Sequence, residues 1–306
     1  MFDTHCHLNF KSFKKNLPEI ISNAQTVGVT HIVIPGTDVQ SSQSAIEIAS
    51  KHEGLYAAVG IHPHHVYEFC HPERLVEGSV SQLADRDSST EFTLSGIEGL
   101  GMTDQITEIA KLLTEPKVMA VGEIGMDRHV YEKTKYADYS VNEEFITLQK
   151  ELFVKQVELA IKHKKSLIIH NREAKNDLLP ALTKSWDKAL EGKTVFHCCE
   201  PDEELLAYAK AHKMFIGVDG DITYRKDKQD FIKSVPIEML VVETDAPFLL
   251  PEPLRTEKKY PNNPSNIPLI LAYIAGIINI DTEELGEITS ENAKRLFDIT
   301  KTTGSE

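Results

Sequence analysis

Short apolar runs rich in β-branched residues recur along the chain. Between them lie stretches in which apolar residues fall three or four apart. The runs are MFDTHCH (1–7), HIVIPGT (31–37), LYAAVGIHP (55–63), VMAVGEIG (118–125), SLIIH (166–170), TVFHC (194–198), MFIGVDG (214–220) and LVVETDAP (240–247). Each reads as a strand. The intervening segments 39–52, 142–165, 201–213 and 266–279 read as helices. In 142–165 the apolar residues Phe145, Leu148, Leu152, Val157, Leu159 and Ile161 show helical spacing. Near-continuous apolar strands alternating with helices predict a parallel sheet whose outer face is covered. Eight such units predict an α/β fold of the (β/α)8 TIM-barrel type, a single barrel domain over 1–306. An open doubly wound sheet is the alternative, but no G-x-G-x-x-G follows the first run. Residues 77–105 lengthen one connection and are expected to form a surface excursion.

Composition narrows the class only slightly. With 41% hydrophobic and 26% charged residues, the chain has the makeup of a globular protein. No apolar run is long enough to span a bilayer, so no membrane partner is expected. The N-terminus shows no secretory pattern, and four cysteines, two of them adjacent, do not read as a disulfide framework. A cytoplasmic location is expected, or a nuclear one in a eukaryote. The formal net charge of −14 excludes a generally basic nucleic-acid coat protein, but not an enzyme with a local cationic cleft. No exposed apolar stripe declares itself, so a monomer is expected.

The polar residues carry more. In a barrel of this type the active site lies at the C-terminal strand ends. Those ends hold His5 and His7, His62, Glu123, His170, His197 and Asp245. Within a strand, His5 and His7 share one side while Cys6 takes the other. Leaving His62 aside, the four imidazoles with two carboxylates suit a borderline transition metal or a pair of divalent ions, Mg, Mn or Zn. Two ions about 3.5–4 Å apart could share Glu123, one taking His5 and His7, the other His170 and His197. Asp245 would ligate the first ion and hold the attacking water, which makes Glu123 and Asp245 the expected catalytic carboxylates.

The motifs FDTHCHL, VGIHPHH, VGEIGMD, IIHNREA, VFHC, VVETDAPFLLP and ENAKRLF, in this order, resemble the TatD family of metal-dependent deoxyribonucleases. The likeness runs across nearly the whole chain. It implies a barrel hydrolase with a one- or two-metal centre that cuts DNA phosphodiesters, often as a 3′→5′ exonuclease. It also implies metal ligation by His5, His7, Glu123, His170, His197 and Asp245. The chain departs from the family where Cys199 and Glu200 follow the HC of VFHC, and where NNPSN (262–266) lacks the family's carboxylate.

Around this centre Glu243, two residues before Asp245, is expected to orient a ligand or to pair with Arg172. His62 is expected to contact phosphate. Basic residues gather in the loops after strands: Arg128, Lys133 and Lys135; Arg225, Lys226 and Lys228; Arg255, Lys258 and Lys259. Tyr131, Tyr136 and Tyr224 share those loops and offer stacking surfaces for unpaired bases. Arg172, Arg128 and Tyr224 are thus candidate substrate contacts, with single-stranded DNA or 3′ ends as the partner. The rival readings are a hydrolase of a phosphotriester, lactone or amide on the same barrel, and a non-catalytic nucleic-acid-binding protein. The first is disfavoured because Glu123, not a lysine, occupies the end of strand four.

Overall fold

A computed structural model describes residues 1–67, 101–132, 134 and 139–299. Eight strands form one parallel sheet in sequential order: β1 (Phe2–Asp3), β2 (His31–Pro35), β3 (Leu55–Val59), β4 (Val118–Asp127), β5 (Ser166–Arg172), β6 (Thr194–Phe196), β7 (Phe215–Val218) and β8 (Leu240–Val242). The ends meet through the backbone. Thr4 N donates to Val242 O at 3.2 Å, Asp245 N to His5 O at 2.9 Å and His7 N to Ala246 O at 2.8 Å. The result is the expected (β/α)8 barrel, nearly closed.

Helices α1 (Leu17–Thr26), α2 (Val39–Lys51), α3 (Met102–Leu112), α4 (Glu143–His163), α5 (Lys175–Ser185), α6 (Glu203–Ala211), α7 (Lys226–Ile232), α8 (Ile267–Ile278) and α9 (Thr282–Leu296) accompany the strands. Local chemistry sets several boundaries. Asp38 and Ser41 form a reciprocal capping box at the start of α2, and the Asn142 side chain accepts from Phe145 N at the start of α4. Lys164, in the left-handed region at φ 56°, ends α4. The 77–105 excursion lies largely outside the described residues, as do Cys70, Lys133, Lys135 and Tyr136; its last residues enter α3. Among the described residues no single helix is long and apolar enough to cross a membrane.

One residue per strand fills the barrel floor: Phe2, Val33, Ala58, Ala120, Ile168, Val195, Phe215 and Val241. Leu296 and Phe297, at and just past the end of α9, plug it from below, with Phe297 stacked on Phe2 at 5.9 Å. Alternation aims the residue two positions onward along each strand inward as well. In β5, β6 and β8 that next layer holds His170, His197 and Glu243. In β3, β4 and β7 it holds Gly60, Gly122 and Gly217. Gly217 makes room for a polar group, since a Cβ there would stand 2.6 Å from the Glu243 carboxylate, whereas a Cβ on Gly122 would stand 2.6 Å from the Ile168 side chain.

Candidate metal centre

Two breaks in strand alternation complete the centre. In β4, Val121 packs outward into the core while Ala120 faces the barrel, so strict alternation would also send Glu123 outward. The β4–β5 register shifts between Val121 and Ile124, and beyond it Ile124 and Met126 face outward instead. This irregularity turns Glu123 into the barrel mouth, a common use of bulges beside active sites. At β1 the strand stops at Asp3 and the chain bends at Thr4. Thr4 therefore reaches Glu243, His5 and His7 enter the mouth, and Cys6 joins the outer core.

Glu123, 4% exposed, lies at the middle of the cluster. Its Oε2 is 3.5 Å from His5 Nε2 and 3.7 Å from His7 Nε2. Its Oε1 is 2.8 Å from His170 Nδ1, 3.4 Å from His197 Nε2 and 3.5 Å from His62 Nε2. Asp245 Oδ1 stands 3.7 Å from His5 Nε2 and 3.5 Å from His7 Nε2, and those two nitrogens face each other at 3.2 Å. Asp245 holds this pose with φ 49°, in the left-handed region.

This donor set fits a cation. Four N/O ligands about 2.0–2.2 Å from a tetrahedral ion stand roughly 3.3–3.6 Å apart. The five measured separations among His5, His7, Asp245 and Glu123 Oε2 run from 3.2 to 3.7 Å. His62, Glu123 and His170 make a second convergent group that shares the same carboxylate. His62 thus stands among the candidate ligands; it caps the 3-10 turn Pro63–Val66, three residues past the end of β3.

The electrostatics also call for positive charge. Burial alone would raise the pKa of Glu123, but His62, His197 and hydrogen bonds from His170 and His197 hold it well below the usual carboxylate range. Burial lowers the pKa of His5 and, against the pull of Glu123, of His62. For His170, hydrogen bonds to Asp127 and Glu123 overcome burial and lift it to about 9, and His197 is raised well above its ordinary value by Glu243 and Glu123.

Three buried carboxylates brace the ligands. Glu243 Oε1 lies 3.0 Å from His197 Nδ1 and accepts from Cys198 N at 2.6 Å, while its Oε2 is 3.1 Å from Thr4 Oγ1. Of the two roles expected for Glu243, it therefore orients a histidine; Arg172 instead donates to Tyr131 OH at 3.2 Å. Asp127, missed in the sequence reading although GEIGMD displays it, is 3.1 Å from His170 Nε2 and accepts from Tyr131 OH at 2.7 Å. Burial would raise its pKa; the hydrogen bond and charge of His170 bring it down to about 2. Asp3 accepts from Thr244 Oγ1 at 2.6 Å, Thr244 N at 3.0 Å and His5 N at 3.2 Å, clamping β1 to the segment after β8. Its burial raises its pKa to about 8. Asn262, within NNPSN, is buried and donates to Thr244 O at 2.9 Å, supporting the turn that carries Asp245.

The expected cationic rim is largely paired. Arg128 donates to Asp177 at 2.5 Å and Glu143 at 2.9 Å, and Arg225 pairs with Asp227 and Asp221. Lys228 is no rim residue: it is buried between Asp219 at 3.0 Å and Asp221 at 2.7 Å. Tyr224 lies beneath Arg255, whose guanidinium is 4.3 Å from the ring centre.

Sequence comparison assigns this barrel to a family. A family model described as TatD related DNase matches residues 2–298. The chain belongs to the TatD family. It is 30% identical to the uncharacterized metal-dependent hydrolase YabD of Bacillus subtilis (strain 168), over 98% of this chain and 99% of that protein. It is 27% identical to the 3′-5′ ssDNA/RNA exonuclease TatD of Escherichia coli (strain K12), again over 98% and 99%. Among solved structures, YJJV, a TatD homolog from Escherichia coli k12, superposes with a TM-score of 0.75 at 23% identity, covering 98% of each chain. The protein is a metal-dependent hydrolase of this TatD family.

Asp127 offers a test of the bracing. An Asp127→Asn protein is expected to bind divalent metal roughly 10- to 100-fold more weakly, because the carboxylate that fixes His170 is gone. Competition against a chromogenic chelator measures this, and unchanged affinity would show that Asp127 does not orient a ligand.

Proposed function

We propose that this TatD-family hydrolase cleaves the phosphodiester bonds of DNA, acting as a 3′→5′ exonuclease on single-stranded ends with two divalent ions, Mg, Mn or Zn. The observation that carries the reading is the single carboxylate, Glu123, shared between His5 and His7 on one side and His170, His197 and His62 on the other. His5, His7, Asp245 and Glu123 would hold one ion; Glu123, His170 and His197 would hold the other. Ions held there would supply an activated water and offset charge on the phosphoryl oxygens.

The chain's own groups do the rest. Asp245, at the open side of the cluster, is placed to orient the attacking water and to accept its proton. His62, beside Glu123, is placed between ligand duty and contact with a phosphate oxygen. Glu243 and Asp127 keep His197 and His170 aimed at the centre through the attack. Identity with an exonuclease relative over almost the entire chain supports the substrate class.

The test is hydrolysis of a 5′-labelled single-stranded oligonucleotide by metal-stripped protein with each ion added back. A descending ladder of labelled fragments is expected. Immediate release of the labelled nucleotide would reverse the polarity, and a few internal products would make the enzyme an endonuclease. No cleavage with any ion, in protein that takes up metal, would overturn the nuclease reading.

A further inference from the structure

Of the tyrosines expected to stack on bases, Tyr131 and Tyr224 are occupied. Arg172 lies 5.1 Å over the Tyr131 ring, whose hydroxyl is bound to Asp127, and Arg255 covers Tyr224. A different aromatic surface stands open. Phe248 is 51% exposed, although it sits three residues after Asp245 in a turn closed by Phe248 N donating to Asp245 O at 2.9 Å. Its ring meets Phe10 edge-on at 6.0 Å and His7 at 6.2 Å, and Phe10 stacks on His7 at 4.4 Å. The two phenylalanines thus form a step beside an imidazole of the metal centre.

Burying a phenylalanine is favourable, so one left half in water beside a reaction centre is an unused contact surface. The step is also rigid. Phe10 N donates to His7 O and Phe13 N to Phe10 O, each at 3.0 Å, with Phe13 buried in the core. Leu250 anchors the other side. Lys11, Lys14 and Lys15, on the loop that carries Phe10, are exposed and have no carboxylate partner among the described residues. An aromatic ledge combined with exposed ammonium groups is how single-stranded nucleic acid is held without reading its sequence.

We infer that Phe248 and Phe10 form a stacking seat for an unpaired nucleobase at the end of the strand being cut. The inference rests on the proposed nucleic-acid substrate and adds what selects it. A base seated there is separated from the buried imidazole of His7 by Phe10, and this places its phosphate beside the ligand cluster. A paired terminus has to unpair before its base can reach the seat, so the seat favours single-stranded ends.

The test compares two metal-loaded proteins, wild type and Phe248→Ala, on an ordinary oligonucleotide and on one whose terminal nucleotides are abasic. Phe248→Ala is expected to raise KM for the ordinary strand roughly tenfold with kcat little changed. The abasic strand should bind both proteins equally weakly, and Phe248→Trp should restore the wild-type preference. In the Asp245→Asn background, a terminal 2-aminopurine should be quenched on binding, and less so when Phe248 is alanine. Equal KM values for wild type and Phe248→Ala on the ordinary strand would overturn the seat. An equal loss on both strands would overturn it too, because it would mean Phe248 supports the loop and does not touch a base. The binding arm is independent of cleavage: base-selective quenching without hydrolysis under any ion would retain the seat and sink the nuclease reading.

Discussion

Asp245→Asn protein should lose kcat by roughly 10²–10⁴-fold, the usual contribution of a positioned base, with KM within a few-fold of wild type. The substitution is unusually clean. Asp245 sits at φ 49°, a conformation that asparagine adopts more readily than any other residue except glycine. The amide keeps an oxygen where Oδ1 stands, 3.5 Å from His7 Nε2 and 3.7 Å from His5 Nε2. The backbone bonds from Asp245 N to His5 O and from Phe248 N to Asp245 O do not involve the side chain. What disappears is the negative charge and the capacity to take a proton. Steady-state kinetics with a thermal melt as control measures this. A kcat within about tenfold of wild type would remove Asp245 from the proton transfer.

Glu123→Gln should be at least as damaging, on the order of 10³-fold or more in kcat/KM, because one carboxylate serves both halves of the cluster. Glu123 is buried, and its two oxygens face imidazoles from five different positions. A neutral amide of the same shape leaves the packing in place while removing the charge that would offset bound cations. Metal analysis should show at least one ion fewer per chain. Melting should show it independently. Wild type saturated at about 100 times Kd gains roughly 2.7 kcal/mol from one bound ion, a rise of several degrees in Tm. Glu123→Gln should forfeit most of that gain. A variant that keeps the full metal content and the metal-dependent rise would show that Glu123 is not the shared ligand.

The contrast between these carboxylates and the rim residues shows where sequence reading succeeds. Glu123, Asp245 and the five histidines stood out because polar side chains at the ends of apolar strands are conspicuous, and the structure brings all seven into contact. Arg128, Tyr224 and Lys228 were named for their loops alone, and a loop position does not reveal its neighbours. Asp177 and Glu143 take up Arg128, Arg255 covers Tyr224, and Asp219 with Asp221 buries Lys228. Phe10 and Phe248 were passed over because an aromatic residue in an apolar run reads as core.

The periodicity of apolar residues was sufficient for the barrel, since eight strands buried on both faces and alternating with helices leave few ways to cover a sheet. Strand-end positions were likewise sufficient to single out the seven polar side chains that the structure brings together. The orientation of those side chains was not legible. Strict alternation would have turned Glu123 away from the mouth. The register slip in β4 and the bend at Thr4 reverse the alternation locally. Such slips depend on how neighbouring strands pair, and Gly217, which leaves room for the Glu243 carboxylate, matters only once its strand lies beside β8. Strand period is a local property written into consecutive residues; register and facing volume belong to contacts between residues far apart in the chain, and folding alone brings those into being.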